Sequence, residues 1–426
     1  MAFRICVYED SRFSDFFPLT TLRPVYALRP GAIPLFRQAE KFFPDDPISL
    51  VAREQIGPLL AETHRDYPVN IIKREKGQEV LFLNGRIQSF GDLPRLVKEA
   101  RISTVFRVFG QTAAVLYKMD TLSAIPPMAT HQEYLAEFTR DKDAFPEFDA
   151  TATLYGHCWD LVNDIDRAVA EDIAFLKLHI KAGPQNLKIH DGAFLVKKDG
   201  ITFGDDVEIF PGAVIDASKG PVFVGSNTRI ESHAAIYGPC FIGANTVVLA
   251  GKITGSSIGP TCRVGGEVEE SIFHSYVNKY HAGFVGHSCV GSWVNFGAMT
   301  TNSDLKNNYS NIRLSLNGES IDTGSMKIGS FIGDHTKFGI GSLLNTGISV
   351  GVCCNIFGGG LTTDKEVPPF SWGNTGKYHT YAVEKAIETA QRTSERRNCT
   401  FSDVETELLK QIATGKIDAT GAVDFV

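Results

Sequence analysis

Along the second half of the chain an apolar side chain returns every sixth residue: Val224, Ile230, Ile236, Ile242 and Val248 in one run, then Ile332, Phe338, Leu344, Val350 and Ile356 in another. Further six-residue steps link Ile201 to Val207, Ile258 to Val264 and Val290 to Phe296. Six is neither the helical period nor the two-residue alternation of a strand. It is the period of a hexapeptide parallel β-helix, in which each short flat strand sends one apolar side chain inward and small residues let the backbone turn. The pairs Val224-Gly225, Ile242-Gly243, Ile258-Gly259, Val285-Gly286, Val290-Gly291 and Ile332-Gly333 suit those corners. At about 18 residues per triangular turn, the span Ile201 to Gly373 predicts roughly nine coils. The beat fails from Thr300 to Lys327, a polar, Asn-rich stretch expected to leave the stack as a loop of the kind that carries function.

Ahead of the repeat, the apolar runs FRICVY, VNII, VLFL and TVFRVF alternate with the helical patterns AIPLFRQAEKFF and LPRLVKEA, which predicts an α/β domain. Asp160 to Leu178 has helical spacing and is expected to join the two parts. After the repeat, Val383, Ala386, Ile387 and Ala390 share one helical face, and Ser402 with Glu405 forms a capping box before Leu408, Leu409 and Ile412. These two helices are expected to cap the open end of the coil. The expected organisation is an α/β domain over 1–159, a linker helix over 160–185, a β-helix over 186–375 and closing helices over 376–426.

The length of 426 residues suits two to three domains, and 40 glycines suit a turn-dense β architecture. The net charge of −7 argues against nucleic acid or an anionic membrane as partner and leaves small molecules and proteins. MAFRICVYEDSRF lacks the pattern of a signal peptide, and no run approaches eighteen apolar residues, so a soluble cytoplasmic protein is expected. Eight cysteines without a C-x-x-C pair speak against a disulfide scaffold or a structural zinc site; they are expected to be reduced and mostly buried.

With PLTTLRPVYALRPGAIPL in the first domain and KYHAGFVGHSCVGSWVNFGAMTTN in the second, the chain resembles the GlmU-like family of bifunctional sugar nucleotidyltransferases and acyltransferases, in the manner of a divergent bacterial branch. The resemblance implies a nucleotidyltransferase-like domain followed by a left-handed β-helix that forms a homotrimer. It also implies acetyl-CoA lying between neighbouring helices, a histidine base acting on a sugar amine, and UDP-N-acetylglucosamine as the pathway's product. His281 stands at the position of that histidine, nine residues before Val290-Gly291, and Asn295 and Gly297 match the Val-Asn-x-Gly that follows. An ammonium must lose a proton before its nitrogen attacks a thioester, and imidazole titrates in the right range to take it. Gly297 and Ala298 fall on the acetyl-CoA side. Two departures stand out: Phe284 replaces a tyrosine that helps hold the sugar phosphate, and Glu269 and Glu270 replace a lysine. Arg263, Lys279 and Lys306 are the remaining basic candidates for the phosphate, with Asn302 as a hydrogen-bonding partner.

The first domain departs further. Pro18, Leu19, Thr20 and Pro24 match the family's motif, but the upstream loop EDSRFSDF holds no glycine, Val25 replaces a lysine, and Arg86 replaces a metal-binding aspartate. Only Asn163 or Asp164 resembles the other metal-side position. These are the groups that position and neutralise a triphosphate with Mg2+, so nucleotidyl transfer is expected to be lost. Arg12, Arg23, Arg29 and Arg86 are expected near that edge, where they would bind a sugar phosphate or nucleotide without metal. The function expected is acetyl-CoA-dependent N-acylation of an amino-sugar phosphate; the alternative is a non-catalytic trimeric sugar-nucleotide-binding or scaffold protein. In a third class, zinc-dependent hexapeptide proteins resembling carbonic anhydrase, two histidine ligands stand five apart; His281 and His287 are six apart.

Overall fold

The computed structural model describes residues 2–140, 144–180, 182–417 and 420–425. The first domain is built on a six-stranded sheet in the order Ile48–Val51, Phe3–Tyr8, Glu79–Asn84, Gln111–Tyr117, Thr104–Val108, Glu147–Asp149. Its first three strands run parallel, and Gln111–Tyr117 lies antiparallel between its neighbours. FRICVY and EVLFLN are buried along their whole length, as suits inner strands covered on both faces. VNII contributes only Ile71–Lys73, which pairs with Met128–Thr130 outside this sheet. AIPLFRQAEKFF forms a 3-10 helix over Leu35–Lys41, entered from Pro34, rather than an α-helix. The expected joining helix is two, Cys158–Asn163 and Ile165–His179.

The second domain is the expected left-handed parallel β-helix, of about ten turns rather than nine because coiling already starts at Lys188–Ile189 and runs to Ser371–Asn374. Val224, Ile230, Ile236, Ile242 and Val248 are all buried in its column, as are Ile332, Phe338, Leu344, Val350 and Ile356. The corner glycines are set by the spacing of the coils: a Cβ on Gly225 would lie 2.5 Å from the Ala244 nitrogen, and one on Gly243 2.5 Å from that of Pro260. No side chain fits there.

The polar excursion leaves the stack after Thr301–Asn302 and re-enters at Ser330–Ile332. It carries a hairpin, Arg313–Leu316 with Glu319–Asp322, whose Ile312, Leu314 and Leu316 are buried in the same core cluster as the first domain. Asn317 Nδ2 donates to the Ser14 carbonyl at 3.3 Å. The excursion therefore clasps the two domains together.

The closing helices, Val383–Glu395 and Asp403–Ala413, do not cap the coil end. Their apolar faces join the core cluster shared with the first domain, and they lie along the flank: His335 Nε2 meets Glu405 at 2.9 Å, and Arg397 reaches the Thr261 carbonyl at 3.5 Å. Half of the expected capping box forms: Ser402 Oγ accepts from the Glu405 amide at 3.0 Å, while the Glu405 carboxylate turns to His335 instead of back to Ser402. Lys377–Thr380 covers the last coil strand antiparallel. The chain then returns to the first domain. There the Val423 amide donates to the Glu9 carbonyl at 2.9 Å, and Phe425 packs among Tyr8, Phe82 and Phe138. All eight cysteines are free and seven are buried. Among the described residues no helix is long and apolar enough to cross a membrane.

Candidate functional site

The edge expected from the resemblance to hold a triphosphate lies beyond Tyr8, where the chain enters a short 3-10 helix, Ser11–Phe16. Arg86 is buried and spends its guanidinium on the Asp10 carboxylate through Nε and Nη2 at 2.7–3.0 Å, on the Tyr155 carbonyl at 2.7 Å and on Gln111 at 2.8 Å. Behind it Glu9 and Arg53, both fully buried, pair at 2.9 Å, with Arg53 lying over the Phe13 ring. Mg2+ does not fit this arrangement, because a guanidinium occupies both oxygens of the nearest carboxylate. Asp164 accepts from the Tyr155 hydroxyl at 2.6 Å, and Asn163 reaches Ser325, so neither supplies a free ligand. A cavity of about 250 Å3 remains, and the C-terminal tail walls it where Asp424 accepts from the Ser11 amide at 3.1 Å.

Arg23 and Arg29 are elsewhere, which corrects the expectation that they flank this edge. Arg23 pairs with Asp334 of the β-helix. Arg29, its pKa lowered to about 10 by burial, donates to the Phe273 carbonyl at 2.9 Å. Both arginines hold the domains together. Arg12 alone of the three stays at the edge, paired with Asp15 and Gln111.

In the β-helix, Asn278 is in register with Asn295, and Asn295 with Lys337. Three residues further along each strand, the corner stacks His281, Ala298 and Ile340 on successive coils; the Met299 amide donates to the Ala282 carbonyl at 2.9 Å and the Gly341 amide to that of Ala298 at 2.8 Å. His281 is exposed, with Tyr280 edge-on to its ring at 5.2 Å. Beside it Met299 and Ile340 expose 61% and 76% of their surface, an apolar ridge along the corner. Gly297 is explained by coil stacking, since its Cβ would lie 2.5 Å from the backbone of Gly339.

Arg263 and Asn295 converge on one cavity of about 460 Å3, closed over by the helix Val383–Glu395. Asn278 Nδ2 donates to Asn295 Oδ1 at 2.8 Å. The other expected ligands do not join them. Lys279 points into the coil, where its amine donates to the carbonyls of Gly265 and Gly283 at 2.7 and 2.6 Å and burial lowers its pKa to about 8. Asn302 is buried, bonded through both ends of its amide to Gly286. Lys306 folds back on the Asn311 carbonyl within the excursion. Sequence reasoning missed Lys337, Arg396 and Arg397, which line the cavity from a later coil and from the end of the flanking helix.

One face around the coil, His287 is buried between two carboxylates, Nδ1 at 2.7 Å from Asp304 and Nε2 at 3.0 Å from Glu270. Burial alone would lower its pKa, but the hydrogen bonds to Asp304 and Glu270 prevail and raise it to about 9. Its ring is therefore a charged structural tie, and Glu270, at the family's lysine position, has this partner. Glu269 pairs with Lys327 at 3.4 Å.

Fold and site together define a two-domain protein: an α/β domain whose sheet edge is filled by the ion pairs Arg86–Asp10 and Arg53–Glu9, joined to a left-handed parallel β-helix. Residues 5–180 match the model of the family described as sugar nucleotidyl transferase. It is 32% identical over 95 residues to a bifunctional sugar-1-phosphate nucleotidylyltransferase/acetyltransferase of Sulfurisphaera tokodaii, covering 22% of this chain. It is 32% identical over 101 residues, 24% of the chain, to a bifunctional protein GlmU of Methanococcus vannielii. The matched stretch spans about a quarter, 24%, of the length of either relative. Among solved structures, a UDP-N-acetylglucosamine acyltransferase from Campylobacter jejuni aligns at 14% identity over 57% of this chain and 94% of its own, with TM-score 0.26. An N-acyltransferase from Bacillus cereus, AntD, aligns at 16% identity over 35% of this chain and 87% of its own, with TM-score 0.19.

Proposed function

We propose that the protein is a cytoplasmic, homotrimeric N-acyltransferase that moves an acetyl group from acetyl-CoA to the amine of an amino-sugar phosphate, with His281 as general base. One observation carries this reading: an exposed histidine sits on a corner of the β-helix with an apolar ridge on one side and, three residues back along the same coil, a cationic cavity. Three residues span at most about 11 Å, so an anionic group held near Arg263 and Asn295 and an amine at His281 lie within reach of one small substrate. The ridge of Met299 and Ile340 would face a neighbouring subunit and shelter the thioester beside Ala298. Eight free cysteines suit a reducing compartment. The name of the Sulfurisphaera tokodaii relative, which joins nucleotidyl and acetyl transfer, agrees with this chemistry.

In this reading the first domain serves as a scaffold, or binds without turnover, because its phosphate ground is occupied by Arg86 and Asp10. Acetyl transfer from acetyl-CoA, assayed against a panel of amino-sugar phosphates with the wild type and His281→Ala, tests the proposal. No transfer to any acceptor would leave the binding-protein alternative standing.

A further inference from the structure

The cavity beneath the helix Val383–Glu395 has an unusual charge balance. Its wall carries Arg263 and Lys337 from two coils and Arg392, Arg396 and Arg397 from the helix and the residues after it, and no aspartate or glutamate is among the described side chains that line it. Arg392 has a counterion in Glu388. Arg263 and Arg396 meet no carboxylate among the described residues. Among the described residues Arg397 reaches only the Thr261 carbonyl, and the Lys337 amine only that of Trp293.

Cations do favour the C-terminal end of a helix, by roughly 0.3–1 kcal/mol each. That accounts for an arginine at the end of this helix but not for two more cations converging on it from the β-helix. Crowding like charges raises the free energy of the empty site, and it shows at Arg397. Burial, then the neighbouring Arg263 and Arg396, lower the pKa of Arg397, and burial lowers that of Lys337 to about 8. An anion would relieve both.

We propose that this cavity is a binding site for a diphosphate-bearing anion of the nucleoside diphosphate class, gripped by Arg263, Lys337, Arg396 and Arg397. Four unneutralised cations outnumber the charge of a single phosphate ester, and guanidinium groups suit the bidentate geometry of phosphoryl oxygens. The volume of about 460 Å3 leaves room for more than a phosphate group and falls in the roughly 300–1,000 Å3 range of small-molecule sites. With Asn278 Nδ2 bonded to Asn295 Oδ1, Asn278 keeps an acceptor and Asn295 a donor for a sugar or base edge. The inference rests on charge and volume: in the proposed acyl transfer the anionic group held in this cavity would be part of a diphosphate, and the binding itself stands whether or not His281 transfers an acyl group.

Calorimetric titration of the full chain with inorganic pyrophosphate, UDP, ADP and orthophosphate tests it. Pyrophosphate and at least one nucleoside diphosphate should bind at least tenfold more tightly than orthophosphate, with affinity falling as salt rises. Arg396→Gln and Arg263→Gln should each weaken binding about tenfold or more while leaving the melting temperature unchanged or higher, because each removes like-charge crowding. UDP binding above ADP would assign the site to nucleotide sugars, and the reverse to an adenine nucleotide such as that within coenzyme A. Failure of all four ligands to bind, equal binding of orthophosphate, unchanged affinity in both variants, or a loss of affinity matched by a fall in melting temperature would each overturn the site. His281→Ala should leave these affinities intact, which separates this test from that of acyl transfer.

Discussion

Arg86 closes on Asp10 through two guanidinium nitrogens at 2.7–3.0 Å, with both side chains withdrawn from solvent. The pair puts a fixed cation at the position where the resemblance implies a metal-binding carboxylate. No pyrophosphate should be released from UTP and N-acetylglucosamine 1-phosphate with magnesium, and robust magnesium-dependent turnover would refute this account of the site. Arg86→Ala would strand a buried carboxylate and should destabilise the protein by about 3–5 kcal/mol, read from denaturant melts.

The corner that stacks His281, Ala298 and Ile340 leaves apolar surface that a subunit interface would cover. Light scattering coupled to gel filtration should give three times the 46.6 kDa chain mass, about 140 kDa. Ile340→Glu should shift the species toward monomer. A wild-type monomer at working concentration would contradict the trimer.

His281→Ala should lower acetyl transfer by about 10² to 10⁴ fold with little change in acetyl-CoA affinity, the usual size of a lost general base. His287, six residues on, faces another side of the coil and is held by Asp304 and Glu270. Its two carboxylate partners make it a stability position, so His287→Ala should lower the melting temperature. If both variants lose activity in proportion to lost stability, His281 has no catalytic role.

The same tie makes stability depend on pH. The folded pKa of His287, about 9, lies above its unfolded value near 6.5, so the stabilisation is fully present below about 6.5 and is lost as pH rises through about 9. Melting temperature measured between pH 6 and 10 should fall over that window, and His287→Gln should flatten the slope. An unchanged slope would show that other groups set it.

The sequence by itself determined the β-helix. A six-residue period admits one solution, because every sixth side chain must be buried for the coils to stack, and the column from Val224 to Ile356 follows it. The expectation that nucleotidyl transfer is lost was also legible there, in a loop without glycine and an arginine at the position of an aspartate. The candidate site was legible only at His281, Arg263 and Asn295. Lys279 and Asn302 carry the right chemistry but point inward, and facing inside or outside a coil is decided by register. Arg23 and Arg29 lie close to the former edge in sequence, yet clasp the β-helix, because the domains bury a common core. Only the tertiary structure brought Arg396 and Arg397, more than 130 residues after Arg263, over the same cavity. Which face of the coil the closing helices cover depends on long-range packing of Ile387, Leu409 and Ile412, and local periodicity cannot encode that choice.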